Sequence, residues 1–138
     1  MYQTILLTLD GTPTDRAIIE HVKALAKLLG SRVVLLHVAD GWAARTYGPE
    51  ATGQEITEDT AYLAKVRQEF QVDGVDAEME LAFGDPGDEI VKWVARRGCD
   101  LVAMSTHGHG FLADLFLGSA SRHVHHNIFV PVLLLRAR

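Results

Sequence analysis

The residues best suited to hold a ligand lie between Asp100 and Ser121, in the stretch DLVAMSTHGHGFLADLFLGSAS. Gly108 and Gly118 lack the Cβ that would keep a ligand away from the backbone. Ser119 and Ser121 supply hydroxyl donors, and a helix opening at Ser119 would add free N–H groups and the positive end of its dipole. A strand that ends in glycines and hydroxyls and leads into a helix makes an anion cradle, and the expected anion is a nucleotide phosphate. The competing reading takes Gly108 and Gly110 as turn glycines and Ser119 as a plain N-cap. Either element alone favours that plainer reading. Both together, at a reversal of strand order, favour the cradle.

Other ways of holding a nucleotide fit less well. The P-loop pattern G-x-x-x-x-G-K-[ST] is absent, and no lysine lies near the cradle. Gly108-His109-Gly110-Phe111-Leu112-Ala113 matches a dinucleotide fingerprint with alanine in third place, but it follows the fourth strand rather than the first. The acidic residue expected about 20 positions later would fall near Ile128, where there is none. Asp10 closes the first apolar run. Its carboxylate can bond a ribose or base, or it can cap the turn Asp10-Gly11-Thr12.

Seven histidines (His21, His37, His107, His109, His123, His125 and His126) raise the question of a metal. Zinc wants three or four convergent ligands. His107 and His109 alternate in a loop while His123 and His126 share a helical face, so exposed or half-buried histidines are expected instead. His109, next to Gly108, would help a phosphate when protonated. Cys99 is the single cysteine, which rules out an intrachain disulfide. No nucleophile has an adjacent base, so at most weak hydrolysis is expected.

The elements that must position these residues can be read from apolar runs and periodicity. Thr4 to Leu9 and Arg32 to Val38 are continuous apolar runs, as in central strands covered on both faces. Ala77 to Phe83 alternates apolar with acidic residues and predicts a half-exposed edge strand. Leu101 to Met104 and Phe129 to Leu135 supply the last two strands. Helical spacing appears at Ile18, Val22, Leu25 and Leu29, stopped by Gly30, and from Glu55 through Ile56, Leu63, Val66 and Phe70 to near Gly74. It recurs through Ile90, Trp93 and Val94 to Gly98, and a fourth helix is expected from Ser119 to about Asn127. Ala39 to Gly53 reads as a long loop.

Strict β-α alternation predicts one α/β domain over residues 1–138, a three-layer α/β/α sandwich with a parallel sheet. Reversal of strand order would open a crevice at the carboxyl ends of the first and fourth strands, where Asp10 and Ser105 sit, with Val38 at the end of the second. The apolar stretch Phe111 to Leu117 would cover this cavity or meet a partner subunit.

The bulk composition narrows the partners. The 138 residues are 48% hydrophobic and 22% charged with a net charge of −5, which argues against a polyanion-binding surface and hence against nucleic acid. No apolar run reaches the roughly 20 residues that span a bilayer. Met1 to Thr4 lacks the features of a signal peptide, and the expected location is the cytoplasm.

The segments ILLTLDGTPTDRAI, VVLLHV, GDPGDEIVKWV, DLVAMSTHGHG, FLGSAS and PVLLLR together resemble the universal stress protein family over essentially the whole chain. The resemblance implies a five-stranded parallel sheet in the order 3-2-1-4-5, Rossmann-like and akin to the adenine nucleotide alpha hydrolases. It also implies a homodimer joined through the last strand, Val130 to Leu135. Its ATP-binding members resemble G-x2-G-x9-G-[ST]. Here that register is Ser105-x2-Gly108-x9-Gly118-Ser119, with Ser105 in place of the first glycine and His109 where many relatives carry Arg or Lys.

The ligand so implied is ATP or AMP, with Mg2+ as an optional companion. By the same resemblance Asp10 and the Val38 backbone meet ribose and adenine, while Gly108, Gly118, Ser119 and Ser121 meet the phosphates. Gly11, Thr12, Met104, Ser105, His109 and Ala120 complete the implied set. The alternative is a dimeric stress scaffold that binds no nucleotide and acts through protein–protein contacts.

Overall fold

The computed structural model describes residues 1–39, 53–105 and 127–136. Its elements in chain order are β1 (Thr4–Leu9), α1 (Asp15–Leu29), β2 (Arg32–Ala39), α2 (Gly53–Val72), β3 (Ala77–Phe83), α3 (Pro86–Arg97), β4 (Leu101–Ser105) and β5 (Val132–Leu135). The five strands form one sheet in the order β3-β2-β1-β4-β5, and every pairing is parallel. This is the predicted Rossmann-like α/β architecture. The helix expected from Ser119, the loop residues 40–52 and the stretch Phe111 to Leu117 lie outside the described residues.

The continuous apolar runs become strands because the sheet is covered on both faces. Ile5, Leu7 and Leu9 of β1 enter one core with Ile18, Ile19 and Val22 of α1 and Leu63, Val66 and Phe70 of α2. Leu6 points the other way, into a second core with Val34, Leu36, Val102 and Met104 and with Ile90 and Trp93 of α3. Period-two alternation along each strand sorts these side chains. Each fully buried Leu, Ile or Phe contributes about 1.5–3 kcal/mol of transfer free energy.

The ends of the elements follow local chemistry. Gly30 at φ 70° and Gly98 at φ 62° close α1 and α3 in the left-handed conformation that a Cβ disfavours. Asp85 caps α3 by accepting the Asp88 N–H at 3.0 Å. Asp100 accepts the Gln3 N–H at 2.9 Å and the Thr4 N–H at 3.0 Å, pinning the start of β1 beside β4.

Both outer strands meet the expectation for edges. On β3, Met79 and Leu81 pack on the first core, while Glu78 and Glu80 are both ion-paired to Arg97 of α3. Arg97 also lies 5.7 Å from the centre of the Trp93 ring. Charges along an edge discourage pairing with a further strand. On the opposite side β5 begins at Val132, three residues later than the apolar run from Phe129 suggests. Pro131 has no N–H for a ladder; its carbonyl instead accepts the Val102 N–H at 3.0 Å, just ahead of the strand.

Candidate functional site

β1 is flanked by β2 and β4, with Leu9 opposite His37 on one side and Leu7 opposite Ala103 on the other. The carboxyl ends of β2, β1 and β4 therefore stand side by side. Chain reversal occurs between β1 and β4, where open α/β sheets leave a crevice. Of the predicted site residues, Asp10, Gly11, Thr12, Val38, Met104 and Ser105 gather at these three strand ends. Gly108, His109, Gly118, Ser119, Ala120 and Ser121 lie outside the described residues.

The gathered residues differ in what they can offer a ligand. Met104 is fully buried in the second core, Val38 is also buried, and Ser105 is only 2% exposed. Asp10, Gly11 and Thr12 are more accessible and form the turn that leads into α1. Gly11 adopts φ 81°, a conformation that glycine takes without steric cost.

The turn is held by a residue outside the predicted site set. Asp15, the first residue of α1 and 1% exposed, accepts the Asp10 N–H at 2.9 Å and the Gly11 N–H at 2.8 Å. Its Oδ2 also accepts the Tyr62 hydroxyl at 2.6 Å. Burial, and then the bond to Asp15, push the Tyr62 phenol well above its ordinary range. A carboxylate accepting three donors is a strong buried anchor, because charge-assisted bonds gain strength where water is excluded. It fixes the turn's backbone.

A second anchor comes from β2. His37 is 7% exposed, which departs from the exposed or half-buried state expected of the histidines. Its position inside the apolar run VVLLHV was the signal for burial. Nδ1 lies 2.9 Å from the Leu9 carbonyl oxygen and Nε2 lies 3.4 Å from Asp59 Oδ2 on α2.

A cavity of about 290 Å3 borders the turn, lined by Gly11, Thr12, Pro13, Arg16 and Tyr62. Arg16 is not available as a free cation there. It holds Glu69 of α2 through two contacts of 3.1 Å and Glu20 at 3.0 Å. That fork keeps the Glu69 carboxyl below its ordinary range. A larger cavity, about 480 Å3, opens at the opposite end of the sheet among Gln3, Lys27, Ser31, Arg32 and Asp76. It faces the amino ends of the strands and the carboxyl ends of α1 and α2, away from the reversal of strand order.

Among the described residues no group of three or more His, Cys, Asp or Glu converges on a possible metal position. No helix among them is long and apolar enough to cross a membrane.

The sequence matches the Universal stress protein family over residues 1–136. A universal stress protein of Thermus aquaticus is 32% identical, the match covering 99% of this chain and 100% of the relative. The solved structure of the Methanocaldococcus jannaschii protein MJ0577, itself a universal stress protein, is similar with a TM-score of 0.82 at 28% identity, covering 100% of this chain and 98% of that one. A universal stress protein from Archaeoglobus fulgidus, solved in complex with dAMP, shares the fold with a TM-score of 0.70 at 18% identity, over 96% of this chain and 97% of that one. With the strand order in place, the match along nearly its full length means that this chain belongs to the universal stress protein family.

Proposed function

We propose that the protein is an adenine-nucleotide-binding module of the stress response, taking ATP or AMP with slow or no hydrolysis. The observation that carries this reading is the juxtaposition of Asp10, Val38 and Ser105 at three adjacent strand ends, beside a turn whose backbone Asp15 fixes. The dAMP held by the Archaeoglobus fulgidus relative supports the ligand class. In this reading Asp10 and the Val38 backbone face ribose and adenine, and Gly11, Thr12, Met104 and Ser105 belong to the same wall. Gly108, His109, Gly118, Ser119, Ala120 and Ser121 take the phosphates, with Mg2+ as the counterion of ATP. The setting is the cytoplasm.

The same reading makes the protein a homodimer through its last strand. Among the described residues β5 is bonded on one side only, to β4. Leu134 on it is 45% exposed, and Phe129 just before it is 92% exposed. A partner strand would satisfy the open edge and cover these side chains. Leu134→Lys then yields a monomer in sedimentation velocity; an unchanged sedimentation coefficient for a dimeric wild type removes β5 as the interface.

Titration calorimetry with ATP and with AMP, each with and without Mg2+, tests the ligand. Saturable heat that Gly118→Val abolishes supports the nucleotide reading. Folded protein giving no heat at millimolar ligand leaves the second reading, a dimeric scaffold, which the exposed β5 edge favours and which needs no nucleotide.

A further inference from the structure

The buried imidazole of His37 lies between the end of β1 and α2 and faces the Asp10–Gly11 turn. Its Nδ1 stands 2.9 Å from the carbonyl oxygen of Leu9, the last residue of β1. That oxygen can only accept, so Nδ1 must carry the hydrogen. Nε2 stands 3.4 Å from Asp59 Oδ2 on α2. A Cβ placed on Gly11 would lie 3.4 Å from Cε1, in ordinary van der Waals contact, so the ring edge faces the Asp10–Gly11 turn across about the width of one methyl group.

The turn is thus held twice. From the α1 side the Asp15 carboxylate takes the Asp10 and Gly11 N–H groups. From the β2 side the His37 Nδ1–H holds the Leu9 carbonyl at the end of β1, and the ring lies between that strand and Asp59 of α2. Neither anchor alone fixes both position and tilt. The carboxylate holds the turn from its α1 side, and the Nδ1 bond to the Leu9 carbonyl fixes the residue from which the turn departs.

We infer that His37 is a positioning residue of the crevice, setting the height at which the Asp10–Thr12 backbone is presented to a ligand. That this ligand is a nucleotide rests on the function proposed above; the positioning itself does not. A small shift of a pre-set backbone is expensive for binding, because the ligand must then restore the geometry from its own binding energy.

Two substitutions separate the polar role of the ring from its volume. His37→Asn keeps a donor near the place of Nδ1, whereas His37→Phe keeps a ring and loses the donor. In the ligand-free wild type, long-range 1H–15N correlation of the His37 ring is expected to show Nδ1 protonated. Amide hydrogen exchange at Asp10 and Gly11 is expected to rise roughly tenfold or more in the Phe variant and to stay within about threefold of wild type in the Asn variant. The Leu6 and Leu7 amides are expected to be unchanged in both.

Where the wild type binds ATP, the Phe variant should bind it roughly tenfold more weakly and the Asn variant within about threefold of wild type. A wild type that gives no ATP heat overturns the nucleotide reading alone, and the exchange data still decide the role of His37. An unprotonated Nδ1 in the wild type overturns the inference whether or not the Phe variant folds, and so does unchanged exchange at Asp10 and Gly11 in a folded Phe variant.

Discussion

Tyr62 and Asp15 are 47 residues apart in sequence, yet the Tyr62 hydroxyl donates to Asp15 Oδ2 at 2.6 Å. The contact joins α2 to the first residue of α1. The same carboxylate also carries the backbone of the Asp10–Gly11 turn. One side chain therefore couples the packing of two helices to the geometry of the crevice.

Asp15→Ala strands two backbone donors and one hydroxyl in a partly buried place. The expected cost is about 2–4 kcal/mol in urea unfolding. Tyr62→Phe removes only one of the three donors and leaves the carboxylate otherwise satisfied, so about 0.5–1.5 kcal/mol is expected. Equal losses for the two variants would show that the turn does not depend on Asp15.

Asp100 grips the start of β1 through the Gln3 and Thr4 N–H groups, and its own N–H donates to the Thr4 carbonyl at 2.9 Å. Asp100→Ala is expected to cost about 1–3 kcal/mol. Loss of amide protection should concentrate at Gln3 and Thr4. A loss spread evenly over β1 would argue that the contact is global rather than local.

The Cys99 thiol is buried, and burial followed by the neighbouring Asp100 charge raises its pKa from an ordinary 9.0 to about 11. The thiolate is therefore scarce at neutral pH, and a thiol-specific disulfide reagent should react with Cys99 only as fast as the protein opens. The folded state binds this proton more tightly than the unfolded one. The resulting stabilisation is complete below about pH 9 and is lost as pH rises towards 11. Fast labelling of folded protein at pH 7 would contradict the burial.

The sheet was legible because central parallel strands are written as continuous apolar runs: Thr4 to Leu9 occurs in the structure as the sequence bounds it, and β3 was visible as an edge from its Glu78 and Glu80. The start of β5 was not, because apolar character continues through Phe129 and Val130 while Pro131, without an N–H, delays the ladder. Asp10, Val38 and Ser105 were legible as residues at the carboxyl ends of the strands, and the strand order sets those ends side by side. The roles of Asp15 and His37 were hidden because each depends on a partner distant in sequence, Tyr62 for one and Leu9 and Asp59 for the other. Local pattern shows an acid in a turn and a histidine in a strand, and only tertiary packing says what they hold.

The proposed function expects its nucleotide at the carboxyl ends of β2, β1 and β4, not in the larger cavity at the other end of the sheet. Backbone amide shifts during titration with AMP test it residue by residue. The expected result is saturable shifts at Asp10, Gly11, Val38 and Ser105, with Lys27, Ser31 and Arg32 unmoved. Shifts confined to Lys27, Ser31 and Arg32, or none anywhere at millimolar AMP, would contradict it.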